Sequence, residues 1–174
     1  MTRFAQRIPA SVVTVPAFAL VVSGCKTSHH FYKVVSGSMS PLLQTGDRIV
    51  VDESAKARTD LHDGDVIMLR RDGNVVVLKR ILAMPGETIR GEDRKVFRNG
   101  KQVDEPYLAP PAKDGNAWMV SFPMRTVPAG EVFVLGDNRD QSLDSRAPEY
   151  APVNLSDVVG KYSWTYWQAA PEGK

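Results

Sequence analysis

Asn74-Val75-Val76-Val77-Leu78-Lys79-Arg80-Ile81-Leu82 (NVVVLKRIL) is a short run of β-branched and leucine side chains around two adjacent cations, launched by the turn signal Asp72-Gly73-Asn74. A run of this length and composition is a β-strand. Side chains alternate along a strand, so Lys79 shares a face with Val75, Val77 and Ile81, and Arg80 points the other way with Val76, Leu78 and Leu82. One of the two cations therefore projects from an apolar surface. Lys79 has two outcomes open to it. It can snorkel from a sheet edge, the common fate of a strand lysine. Or it can be buried beside a hydroxyl, where desolvation penalises the ammonium and lets the amine act as a general base near neutral pH. No histidine is well placed by sequence to be that base, since His29 and His30 are neighbours near the N-terminus and His62 stands alone.

Outward from this strand the same texture repeats. Asp47–Val51 (DRIVV), Asp65–Leu69 (DVIML), Glu131–Leu135 (EVFVL) and Val159–Tyr166 (VGKYSWTY) are short, β-branched or aromatic, and separated by turn signals such as Thr45-Gly46-Asp47, Asp63-Gly64-Asp65 and Pro128-Ala129-Gly130. The expectation is a mainly β domain, with helical turns confined to the neighbourhoods of Leu61 and Leu155–Val158. Residues 87–129 are the least patterned, broken by Pro106, Pro110, Pro111 and Pro123 around an Asn99-Gly100 hairpin, and read as a small insertion.

The 174 residues make about one domain, and 22 Lys and Arg against 20 Asp and Glu give an interspersed net charge of +2. That is not the basic footprint of a nucleic-acid binder. A single cysteine, Cys25, excludes an intramolecular disulfide and any cysteine-clustered metal site. Arg3 and Arg7 precede an uncharged apolar run, Ile8 to Cys25, in the order of an export signal. Eighteen residues with Pro9 and Pro16 are short for a spanning helix, which needs about 20. Residues 1–27 thus read as a retained anchor, or as a segment cut at Val22-Ser23-Gly24-Cys25 to leave a lipidated Cys25. Either way the remaining chain, 28–174, lies on the outer face of the cytoplasmic membrane.

Two further segments carry chemistry. In Ser36-Gly37-Ser38-Met39-Ser40-Pro41 a serine between a glycine and an apolar residue can sit on a sharply turned, exposed backbone, as a nucleophile requires; the same composition also makes an ordinary turn. Leu135 to Arg146 (LGDNRDQSLDSR) is a polar loop launched from an apolar strand, in which Asp144 and Arg146 can pair and lock the loop.

Together these segments resemble the bacterial type I signal peptidases, membrane-bound proteases with a Ser-Lys dyad. Ser38, Met39 and Pro41 match the family's S-x-M-x-P box. Gly46, Asp47, Ile49 and Val51 match G-D-x-I-x-V, and Lys79, Arg80, Pro85 and Gly86 match the K-R strand leading to P-G. Gly136–Arg139 with Ser142, Asp144, Ser145 and Arg146 match G-D-N-R-x-x-S-x-D-S-R. Leu42, Ala83 and Glu87 depart from the usual Thr, Gly and Asp. The resemblance implies coiled antiparallel sheets forming a catalytic core with a small inserted cap. It implies Ser38 as nucleophile and Lys79 as general base, with the Ser36 hydroxyl and Ser38 N–H as oxyanion hole. Ser142 would hydrogen-bond and orient Lys79, and Asp144 and Arg146 would hold the loop. No metal or cofactor is implied. The substrate would be a secreted precursor at the membrane surface, cut after small residues at −1 and −3, whose pockets would involve Met39 and apolar residues near the first strand.

A conjugative pilin-processing peptidase shares this dyad and differs in substrate. A self-cleaving repressor shares it too, but would be cytoplasmic with a DNA-binding N-terminus. A non-catalytic binding module on the same fold is set against by the joint presence of Ser38, Lys79 and Ser142. Phe31 and Tyr32, with Tyr162, Trp164 and Tyr166 alternating on one face of the last strand, suggest an aromatic surface suited to a lipid interface; ordinary core is the other reading.

Overall fold

A computed structural model describes residues 28–71, 75–108, 121–150 and 152–170. The anchor or lipidated Cys25 expected in residues 1–27, and the turn at Asp72-Gly73-Asn74, lie outside the described residues. Among those described, the strands are β1 (His29–Lys33), β2 (Arg48–Asp52), β3 (Val66–Arg70), β4 (Val76–Ala83), β5 (Thr88–Glu92) and β6 (Lys95–Arg98), followed by β7 (Lys101–Gln102), β8 (Phe122–Thr126), β9 (Glu131–Leu135), β10 (Val153–Asn154) and β11 (Val158–Trp167). A five-residue helix, α1 (Ala55–Thr59), separates β2 from β3. All pairings are antiparallel, in a seven-stranded sheet ordered β1-β2-β11-β3-β4-β9-β10 and a four-stranded sheet ordered β7-β6-β5-β8.

The central strands β2, β3 and β9 of the large sheet are buried on both faces, which explains why they read as nearly continuous apolar runs. β9 shows the division: Val132 and Val134 enter one core with Ile67, Leu69 and Ile81, while Phe133 and Leu135 enter another with Ile89, Val96 and Phe122 of the small sheet. A third core, Val34, Met39, Leu43, Ile49, Val51 and Met68, fills the β1–β2–β3 end. The two sheets meet where Phe122 stacks on Phe133, centroids 5.3 Å apart. Gly91 makes this possible, because a Cβ there would overlap the Phe122 ring.

The poorly patterned span after Glu87 contains the whole small sheet. Its two hairpins turn at Asn99-Gly100, both with positive φ, and at Asp93-Arg94, likewise both positive. The helical turn expected near Leu61 forms slightly upstream, as α1, capped by the Ser54 hydroxyl accepting from the Ala57 N–H at 3.1 Å. The turn expected at Leu155–Val158 is a 3-10 turn over Leu155–Asp157.

Tyr162 does not share a face with Trp164 and Tyr166. β11 bulges between Tyr162 and Trp164 and again between Thr165 and Trp167, which turns Tyr162 toward the third core. Trp164, Tyr166 and Trp167 stay about half exposed outside. There Trp164 meets His29, Tyr166 meets Phe31 edge-on at 5.4 Å, and Arg48 lies over Trp167. Among the described residues no helix is long and apolar enough to cross a membrane.

Candidate active site

Ser38 sits in the turn between β1 and β2, anchored by its neighbours. Met39 and Leu43 are fully buried in the third core, and the Leu43 N–H closes the turn on the Met39 carbonyl at 3.0 Å. The segment is also held from outside by Asn138, whose N–H donates to the Ser38 carbonyl at 3.0 Å and whose Nδ2 donates to the Gly37 carbonyl at 3.1 Å. Two apolar anchors and a two-point clamp thus hold the Ser38 backbone while its hydroxyl stays free to react.

Lys79 reaches that hydroxyl from the middle of β4. It projects from the face that carries Ile81 and, on β3, its cross-strand partner Ile67, and it is only 5% exposed. Its Nζ lies 3.0 Å from Ser38 Oγ. Burial pushes the ammonium down to about 8; Arg146 and Arg71 push the same way, against Asp144 and Asp137. At neutral-to-alkaline pH the amine is therefore partly unprotonated and can accept the Ser38 proton.

Arg80 faces the opposite way and is fully engaged. Its Nε and Nη2 meet Asp137 at 2.8 and 2.6 Å, its Nη1 reaches the Gly64 carbonyl at 2.7 Å, and its guanidinium lies 4.0 Å over the Tyr107 ring. This bidentate pair ties β4 to the start of the loop after β9, one residue from Lys79 on one side and from Asn138 on the other. Neither Asp137 nor Asn138 stood out as functional from the sequence, although both lie in the densest run of polar residues in the chain.

The same loop is knotted by Asp144 and Arg146. Arg146 Nε and Nη2 donate to the two Asp144 oxygens at 2.8 and 2.9 Å, and the Gly136 N–H donates to Asp144 Oδ2 at 3.0 Å. Arg146 also donates to the carbonyls of Arg139 and Ser142. Buried ion pairs contribute little net stability; one that also satisfies loop carbonyls limits the conformations open to the loop.

Ser142 departs from expectation. Its hydroxyl is buried and has no hydrogen-bond partner, so the bond expected to orient Lys79 is not made in this structure. The hydroxyl instead packs against Gly136, where a Cβ would overlap it and lie 2.6 Å from the Ser38 carbonyl. The Ser36 hydroxyl lies 3.3 Å from Ser38 Oγ, on the exposed rim of the site. Among the described residues no cluster of His, Cys, Asp or Glu could hold a metal ion.

Two depressions flank the Ser38–Lys79 contact. One, of about 230 Å³, runs along β1 and β4 over Val34, Met39, Ile49, Met68, Val76 and Leu78. The other, of about 240 Å³, extends from Lys79 over Leu69, Val77, Val134 and Leu143 to Arg71 and Tyr150.

Residues 7–167 match the family described as "Signal peptidase, peptidase S26". The chain is 34% identical to "Signal peptidase I V" of Bacillus subtilis (strain 168) over 140 residues, 76% of this chain and 82% of the relative. It is 30% identical to "Signal peptidase IB" of Staphylococcus aureus (strain N315) over 148 residues, 78% and 76% of the two chains. A crystal structure of a signal peptidase I from Enterococcus faecalis V583 superposes with a TM-score of 0.51 at 31% identity, covering 59% of this chain and 97% of that one. With the mainly β fold, and a match spanning nearly the whole length, the chain belongs to the signal peptidase family, peptidase S26.

Proposed function

We propose that this protein is a membrane-associated serine endopeptidase that removes signal peptides from exported precursors, cutting after small residues at −1 and −3, with Ser38 as nucleophile and Lys79 as general base. The observation that carries the reading is the 3.0 Å contact between Ser38 Oγ and a lysine buried to 5% exposure. Neutral Lys79 accepts the Ser38 proton as Oγ attacks the scissile carbonyl, and the ammonium so formed delivers that proton to the departing amine. A second cycle, with water as nucleophile, releases the acyl group. The Ser36 hydroxyl and the Ser38 N–H stabilise the oxyanion, and Ser142 steadies Lys79 once substrate has displaced solvent. Asp144 and Arg146 hold the loop from which Ser142 projects.

The depression over Val34, Met39, Ile49 and Met68 receives the −1 and −3 side chains, and its modest size favours small ones. Segment 8–25 and the outer aromatic face of Phe31, Trp164, Tyr166 and Trp167 set the catalytic domain against lipid, on the external side of the cytoplasmic membrane. The test is cleavage of a precursor peptide with Ala at −1 and −3, its products mapped by mass. Wild type should cut once, after the −1 Ala, while Ser38→Ala, Lys79→Ala and the double variant should be equally inactive because the two groups act as a unit. Near-normal turnover by either single variant would refute the dyad.

A further inference from the structure

The cleft beyond Lys79 ends in a cation that the dyad chemistry does not use. Arg71 follows β3, and its N–H donates to the Val75 carbonyl at 2.8 Å, which extends the β3–β4 ladder by one residue. Alternation then puts Arg71 and Leu69 on the face of Val75, Val77 and Lys79. The guanidinium carbon lies 4.7 Å over the Tyr150 ring, a contact that consumes no conventional hydrogen-bond acceptor and leaves N–H groups for another partner.

Around the active-site loop the other guanidinia are occupied: Arg80 by Asp137, Arg139 by Glu105, Arg146 by Asp144. Arg71 forms no ion pair or side-chain hydrogen bond among the described residues. The carboxylate that shares its cleft, Asp144, is already taken by Arg146 and the Gly136 N–H. The floor between Arg71 and Lys79 is apolar, formed by Leu69, Val77, Val134 and Leu143, so among the described residues a chain lying across it meets Arg71 as the cation at the far end.

We propose that Arg71 is a specificity-determining residue that binds a substrate carboxylate, an Asp or Glu side chain about two to four residues from the scissile bond. The spacing follows from geometry. Val75, opposite Arg71, is four residues from Lys79, about 13 Å of strand, and two long side chains reaching inward shorten the gap. This inference rests on the peptidase reading and names the class of substrate preferred at that same site.

The test is a peptide series with Ala at −1 and −3 in which one Glu, Gln or Lys is moved through positions −5 to +5. Each is cut by wild type, Arg71→Gln and Arg71→Glu, and kcat/KM is recorded. Wild type should favour Glu over Gln by about tenfold at one or two adjacent positions, as expected for a charge-assisted bond. Measured on the alkaline plateau, where Lys79 is neutral in every variant and the effect of Arg71 on it drops out, Arg71→Gln should erase that preference while cutting the all-neutral peptide within about threefold of wild type, and Arg71→Glu should reverse it toward Lys. Equal cutting of Glu and Gln peptides by wild type at every position would overturn the inference alone. So would a preference that survives Arg71→Gln, or a slowing of all peptides by that variant to the same extent, Glu peptides included. Failure of wild type to cut any peptide would overturn the peptidase reading and this inference with it.

Discussion

Replacing Lys79 by Met should stabilise the fold while abolishing activity. The wild-type protein buries an ammonium whose pKa falls from 10.5 to about 8. Below about pH 8 both the folded and the unfolded chain carry the proton, so the folded state bears the full cost of burying the charge. That cost is roughly 3 kcal/mol at about 1.4 kcal/mol per pKa unit. Between about 8 and 10.5 the unfolded chain binds a proton that the folded chain has released, and wild-type stability rises with pH. Above 10.5 both states are neutral and the cost is gone. Met has a similar volume and no charge, so Lys79→Met loses only the contact with Ser38, about 1 kcal/mol. Urea unfolding of both proteins should therefore show the variant ahead by about 2 kcal/mol near pH 6.5, with the advantage fading as pH approaches 10.5. Titrations of other groups are common to both proteins and cancel in the difference. A variant less stable than wild type near pH 6.5, or a difference flat with pH, would refute the claim that burial strains Lys79.

Gly136→Ala should lower kcat at least 100-fold and cost about 1–3 kcal/mol, since the new Cβ pushes on Ser142 and the Ser38 carbonyl together; unchanged kcat and urea midpoint would contradict that packing. Removing residues 1–27 should leave a domain that still binds lipid vesicles. Phe31→Ala with Trp164→Ala should then weaken partitioning about tenfold or more, from the apolar area lost; a domain indifferent to vesicles would remove the lipid role of this face.

The large sheet was legible because its central strands, β2, β3 and β9, are buried on both faces and read as dense apolar runs between turn signals. Of the small sheet only the Asn99-Gly100 hairpin was. β5 and β6, TIRGE and KVFR, carry charges on their solvent side, and the turn joining them uses Asp93 and Arg94 with positive φ, a conformation that an arginine does not announce. Its cost is offset where Arg94 pairs with Asp140 at 2.5 Å and the Asp93 N–H finds Ser121 Oγ. Strict alternation misplaced Tyr162 because a bulge leaves no mark in composition. At the site, the Lys79 face followed from strand period alone, whereas its contact with Ser38 joins residues 41 apart, and the family's motifs rather than local pattern pointed to it. The Asn138 clamp on Ser38 depends on how two loops meet, which no local pattern encodes.

The most direct measurement of the central claim, that a buried neutral lysine activates Ser38, is the pH dependence of kcat/KM for a neutral substrate peptide, which titrates the free enzyme. Activity should rise with pH along an acid limb centred near 8, the value to which burial lowers Lys79, and level off above it. A limb centred near 10.5, where a solvated lysine titrates, or a profile flat from neutral to alkaline pH, would contradict it.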